Sequence, residues 1–140
     1  MVRTKEFALR IIRLYGTLPR TTVGGVIGKQ VLRSGTSVGA QLRECKRSRS
    51  DAEMISKTES ALQELEETAY WLELLVESGI VAQERLTDLM DEAGQLTAIL
   101  VTSAKSLKSR SSKRLFSDGI ERIRQRSGTD FIIPHSSFII

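Results

Sequence analysis

Apolar residues recur at steps of three and four in four successive blocks of the chain, which predicts four amphipathic helices and no strand. The first block, residues 3–18, lines up Phe7, Ile11, Leu14 and Leu18, with Arg3, Lys5, Arg10 and Arg13 largely off that line. Pro19 cannot continue a helix, and residues 20–25 supply threonines and a Gly pair that read as a loop. The second helix is expected over residues 26–45, with Ile27, Val31, Val38 and Leu42 as its larger apolar residues. A third starts after Ser50, which with Glu53 spells the S-x-x-E capping box, while Asp51 adds negative charge to the first turn. Its seam runs Ile55, Thr58, Leu62, Leu65, Ala69, Leu72 and Val76 and stops at Gly79, a length of about 42 Å. Trp71, Leu74 and Leu75 widen that stripe, which calls for a second packing partner in this chain or in another subunit. The fourth helix, residues 83–107, repeats most strictly: Leu86, Leu89, Ala93, Leu96, Leu100, Ser103 and Leu107.

Glycine is the odd feature of the second helix. Gly28, Gly35 and Gly39 together weaken a helix by about 3 kcal/mol relative to alanine, so something must compensate. Steps of seven and four put all three near one face, where missing side chains let a neighbouring helix approach closely. The alternative is a local break at Ser34-Gly35-Thr36.

Short connections between successive helices favour antiparallel neighbours. The expected fold is therefore all-α: an antiparallel up-down four-helix bundle over residues 1–107, followed by a basic, low-complexity and mostly unstructured tail over 108–140. Phe116, Ile120 and Ile123 have helical spacing within that tail, enough for a weakly held turn or two. Further on, Phe131-Ile132-Ile133 returns as Phe138-Ile139-Ile140, an uncharged repeat of high β-propensity with His135 between its copies.

Composition removes several function classes. The 140 residues suffice for one core. No apolar run reaches about 18 residues, and MVRTKEFALR carries charges where a signal peptide needs an apolar block, so a cytoplasmic protein is expected. A basic amphipathic first helix could lie on a membrane, but three further helical patterns need its apolar face. Cys45 and His135 are the only residues of their types, so neither a disulfide nor a usual metal site is expected, and no cofactor is implied. Bundles of this kind can hold two metals through Glu and Glu-x-x-His pairs; with no histidine in any of the four helices, Glu44, Glu64, Glu67 and Glu92 should face water or Arg/Lys partners. GGVIGKQ is superficially like a phosphate-binding loop, yet Val23 and Gln30 occupy the positions where that motif needs Gly and Ser or Thr. A catalytic role is not expected.

Charge is what remains. Residues 1–50 hold eleven Lys/Arg against two acids, giving +9; residues 51–104 hold two against twelve, giving −10; residues 105–140 hold eight against three, giving +5. Segments of opposite sign point to an electrostatic partner, whether nucleic acid, a neighbouring subunit or the other half of the same chain. Arg43, Lys46, Arg47 and Arg49 crowd the corner between the second and third helices. With Arg33 they are the candidate nucleic-acid-binding residues, acting on phosphates with little sequence preference. Phe7 and Tyr15 are the only aromatics in the basic half, so base stacking on single strands is not supported.

The stretch RSGTSVGAQLRECKRSRSDAEMISKTESALQELEETAYWLELL resembles the core of the four-helix bundle family associated with intervening sequences of bacterial 23S ribosomal RNA genes. That family is also similar to the accessory variability proteins of diversity-generating retroelements. The likeness spans about residues 5–107 and is most specific at residues 33–40, at Arg43-Glu44 and at residues 71–75. Gln41 stands where the family usually has Asn, and Cys45 where a small residue is usual. The resemblance implies a non-enzymatic bundle that forms a ring-like homopentamer with a positive surface. In the retroelement branch it implies binding of nucleic acid and a reverse transcriptase. The residue-based alternative is a protein-interaction scaffold whose charge asymmetry serves only self-assembly.

Overall fold

A computed structural model describes residues 2–128; the Phe-Ile-Ile repeat and His135 lie outside the described residues. Four helices follow one another: α1 (Val2–Thr17), α2 (Thr22–Lys46), α3 (Asp51–Glu77) and α4 (Gln83–Ser127). Each packs on its neighbours in sequence and α1 closes the ring against α4, so the bundle is four-helical, antiparallel and up-down as expected.

Pairs of named residues fix the registers. The α1–α2 hairpin is set by glycines: a Cβ on Gly28 would lie 2.8 Å from Leu18 Cδ1, and one on Gly35 2.8 Å from Ile11 Cγ1. Gly39 faces Thr4 at a looser 3.5 Å. The glycine stripe is thus the seat of α1, and α2 runs unbroken through Ser34-Gly35-Thr36. Ser34 and Thr68 join α2 to α3, while Arg85 Nη2 donates to Thr17 Oγ1 at 3.1 Å to hold α4 antiparallel to α1.

The core follows the apolar pattern closely in α1 and α4, where Phe7, Ile11, Leu14, Leu86, Leu89, Ala93, Leu96 and Leu100 are all buried. In α3 the fully buried line is Thr58, Ala61, Leu65, Thr68, Leu72 and Leu75, with Leu62 and Val76 only partly covered. The wide stripe called for a second packing partner, and α3 packs against both α2 and α4, with its small residues Ala61 and Thr68 fully buried. Leu75, read as surplus width, belongs to the core.

Helix ends show local chemistry. Glu53 N–H donates to Ser50 Oγ at 3.1 Å, and Glu53 Oε2 accepts from Arg49 N–H at 3.2 Å, so the expected capping box forms with its return contact one residue early. Gly79, at φ 76°, ends α3 in the left-handed conformation that glycine tolerates best. The second helix starts earlier than residue 26, because Thr21 Oγ1 accepts from Gly24 N–H at 3.0 Å and acts as its N-cap. Only glycine fits at position 24, since a Cβ there would approach Pro19 O to 2.7 Å.

The largest departure is α4, a helix of 45 residues that passes Leu107 without interruption and ends at Ser127, before Gly128 at φ 59°. Core packing does stop near the expected boundary, with Ala104 the last buried residue among those described. Ion pairs hold the next two turns, from Lys108 to Glu59 and from Arg114 Nη1 to Asp51 Oδ2 at 2.9 Å. Each links α4 to the N-terminal third of α3, contacts that apolar periodicity does not register.

Candidate nucleic-acid interface

Antiparallel topology gathers the basic segments at one end of the bundle. The C-terminal turns of α2, the N-terminus of α1 and the stretch of α4 beyond Leu100 meet around the α2–α3 corner. A cleft of about 520 Å³ between α1 and α2 has a floor of Ala8, Gly39 and Ala40 and is lined by Lys5 and Arg43. A second cleft, of about 500 Å³, lies between α2, α3 and α4 and brings Lys46 together with Arg110.

Arg43, Lys46, Arg47 and Arg49 are all exposed and make no ion pair among the described residues. Glu44 sits among them, but its carboxylate is taken by Lys57 Nζ at 2.5 Å, which raises the Lys57 pKa. The four cations therefore keep their donors available to an outside anion.

Arg33 is placed differently. Ten residues before Arg43 on α2, it bridges to α3, donating to Glu64 Oε2 at 3.2 Å and to Glu67 Oε1. The hydrogen bond to Glu67 raises its pKa most, desolvation opposes that, and the charges of Glu64 and Glu67 add to the rise. Glu67 is held below the usual carboxylate range, first by Arg33 and then by Trp71 Nε1–H, which donates to Oε1 at 3.2 Å. The structure thus brings four of the five candidates together and puts Arg33 to work between helices.

Glu44, Glu64, Glu67 and Glu92 each pair with Arg or Lys, Glu92 Oε1 accepting from Arg3 Nη2 at 2.5 Å. Lys5 and Arg110 join the basic end from positions that a local run of charge could not reveal. The signal for Lys5 was available, since the antiparallel order brings residue 5 beside residue 43; Arg110 reaches the corner only because α4 continues past Leu107. Cys45 is half-buried beneath this surface, its Sγ 3.4 Å from Thr58 Oγ1. Gln41 Oε1 is buried without a hydrogen-bond partner among the described residues, so the longer amide adds no such contact.

Among the described residues no three His, Cys, Asp or Glu side chains converge to hold a metal, and no helix is long and apolar enough to cross a membrane. These features define an all-α four-helix bundle. The chain belongs to the 23S rRNA-intervening sequence protein family, whose pattern matches residues 1–102. It is also similar to a protein of unknown function from the S23 ribosomal protein family of Bacteroides thetaiotaomicron, solved by crystallography. That likeness has a TM-score of 0.70 and 38% identity, over 74% of this chain and 92% of the other. No curated protein matches the chain.

Proposed function

We propose that this bundle is a non-enzymatic homo-oligomer that binds RNA or DNA through phosphate contacts from its basic end. The observation that carries the reading is the cluster of Arg43, Lys46, Arg47 and Arg49, exposed and unpaired among the described residues, with Lys5 and Arg110 on the adjoining clefts. Guanidinium and ammonium groups spread over helix ends suit a phosphate backbone, whereas among the described residues no aromatic platform accompanies them to read bases. Arg33 drops out of this surface because two carboxylates already engage it. Pentameric assembly and a reverse-transcriptase partner rest on family resemblance.

Fluorescence anisotropy of labelled structured RNA and duplex DNA, read across a salt series, tests the proposal. Binding that persists near physiological salt with a steep salt slope supports it. Undiminished binding after the double substitution Arg43→Glu, Arg47→Glu, with helicity retained, would remove the assignment to these residues.

A second reading, a scaffold whose charges organise its own assembly, draws on the ion pairs that cross between helices. Arg3 to Glu92, Arg33 to Glu64 and Glu67, Lys108 to Glu59 and Arg114 to Asp51 all spend basic residues on the acidic hairpin. Loss of all nucleic-acid binding in the same titration would favour it.

A further inference from the structure

The family match ends at residue 102 and the last buried residue among those described is Ala104, yet α4 continues to Ser127. Arg114, paired with Asp51 at the first residue of α3, marks the point where the rest of the bundle stops. Residues 115–127 form an arm that carries on for about 20 Å. One side of it is apolar: Leu115 is 70% exposed, Phe116 60% and Ile123 69%, with Ile120 between them and Gly119 on the same face. Arg122 and Arg126 border that side. A helix this short, containing a glycine, is marginal in water unless a face is packed.

The complement lies on the same molecule, at the opposite end. Glu66, Tyr70, Glu73 and Glu77 fall at steps of four, three and four along α3, all exposed, turned away from the buried line of Leu65, Thr68, Leu72 and Leu75. Tyr70 is 54% exposed, and Glu66, Glu73 and Glu77 make no ion pair among the described residues. The stripe is an apolar centre flanked by acids; the arm is an apolar face flanked by cations. Within one chain they cannot meet. Glu77 lies 26 residues of helix from Asp51, about 39 Å, and the arm points the other way.

We infer that the arm of one copy docks on the Glu66–Tyr70–Glu73–Glu77 stripe of a second copy. The contact is heterologous, so it closes into a ring or propagates, according to the rotation between copies. It rests on the homo-oligomeric reading above and names the surface that joins copies. It leaves Arg43, Lys46, Arg47 and Arg49 open.

Hydrogen exchange of the full chain, with sedimentation to report assembly, tests this. In the assembled wild type the amides of residues 115–127 are protected, and dilution releases them. Glu73→Lys with Glu77→Lys, substitutions on a surface the arm cannot touch in cis, speeds exchange of the arm by about tenfold or more, the scale expected of central interface residues. Arg122→Glu with Arg126→Glu does the same, and mixing the two charge-reversed proteins restores protection. An assembled protein whose arm exchanges equally fast in wild type and variants overturns the docking while leaving the oligomer intact. A chain that sediments as a monomer at every concentration overturns both. Arm protection gained only on anionic phosphatidylserine vesicles would overturn it in favour of a membrane surface.

Discussion

Ile11 lies over Gly35 so closely that a methyl group on the glycine would sit 2.8 Å from Ile11 Cγ1 and 3.0 Å from Cγ2. Ile11 is fully buried and β-branched, so it cannot swing aside. Gly35→Ala therefore forces α1 away from α2, at a cost of roughly 1–3 kcal/mol that outweighs a helix-propensity gain of about 1 kcal/mol. At Gly39 the nearest atom is 3.5 Å away, ordinary contact. Gly39→Ala keeps the propensity gain and raises stability by up to about 1 kcal/mol. Urea unfolding of both variants checks the prediction, and equal effects of the same sign would contradict this account of the stripe.

A buried pair of hydroxyls joins α2 to α3. Thr68 Oγ1 donates to Ser34 Oγ at 2.9 Å, and Ser34 Oγ donates in turn to Gln30 O at 2.8 Å. Both residues are fully buried. After Thr68→Val, Ser34 still has the Gln30 carbonyl; after Ser34→Ala, Thr68 can turn to Glu64 O, 2.7 Å away. Neither single change strands a polar group, so each should cost only about 1 kcal/mol. The double variant should lose less than the sum of the two, with a coupling of about 0.5–1 kcal/mol in a thermodynamic cycle. Strict additivity would mean that the hydroxyls do not interact.

The same two residues show how much was legible in the sequence. Apolar periodicity placed the four helices and most of the core, because in α1 and α4 one face does all the packing. It misjudged α3, where Thr68 and Ala61 are buried but too polar or too small to register as a stripe. The charge run at residues 43–49 named four cations that are exposed and make no ion pair among the described residues. It could not show that Arg33 is drawn into a bridge to Glu64 and Glu67, since those acids lie 31 and 34 residues away and meet it only after folding. Nor could it carry α4 past Leu107, where ion pairs with α3 take over from apolar burial.

Glu67 provides a pH dependence. Its carboxyl titrates below the usual range because Arg33, then Trp71, hydrogen-bond to the charged form. The unfolded chain then binds its proton more readily than the folded one. The stabilisation is present above the unfolded value of about 4.3 and is lost as pH falls through the lower folded value. Glu67→Gln should be less stable than wild type by up to about 1 kcal/mol at pH 6, modest because the pair is partly exposed. The gap should narrow towards pH 3. Trp71, the only tryptophan, donates to this carboxylate and reports the unfolding by fluorescence.

Arg33 and Arg43 lie on one helix but are placed differently toward an outside anion. Arg33 is engaged by Glu64 and Glu67, whereas Arg43 is exposed, makes no ion pair among the described residues and lines a cleft with Lys5. Removing a cation that contacts a phosphate lowers the slope of log K against log salt by about 0.9 for duplex DNA. Arg43→Ala should therefore weaken duplex binding and flatten the slope by about that amount, with unchanged urea stability. Arg33→Ala should do the reverse, lowering stability and moving the Glu67 titration, read through Trp71 fluorescence, to higher pH while the salt slope stays at the wild-type value. Were Arg33→Ala to flatten the slope as much as Arg43→Ala, its guanidinium would have to leave the carboxylates when nucleic acid binds. The pairing that now holds α2 to α3 would then be in competition with the ligand.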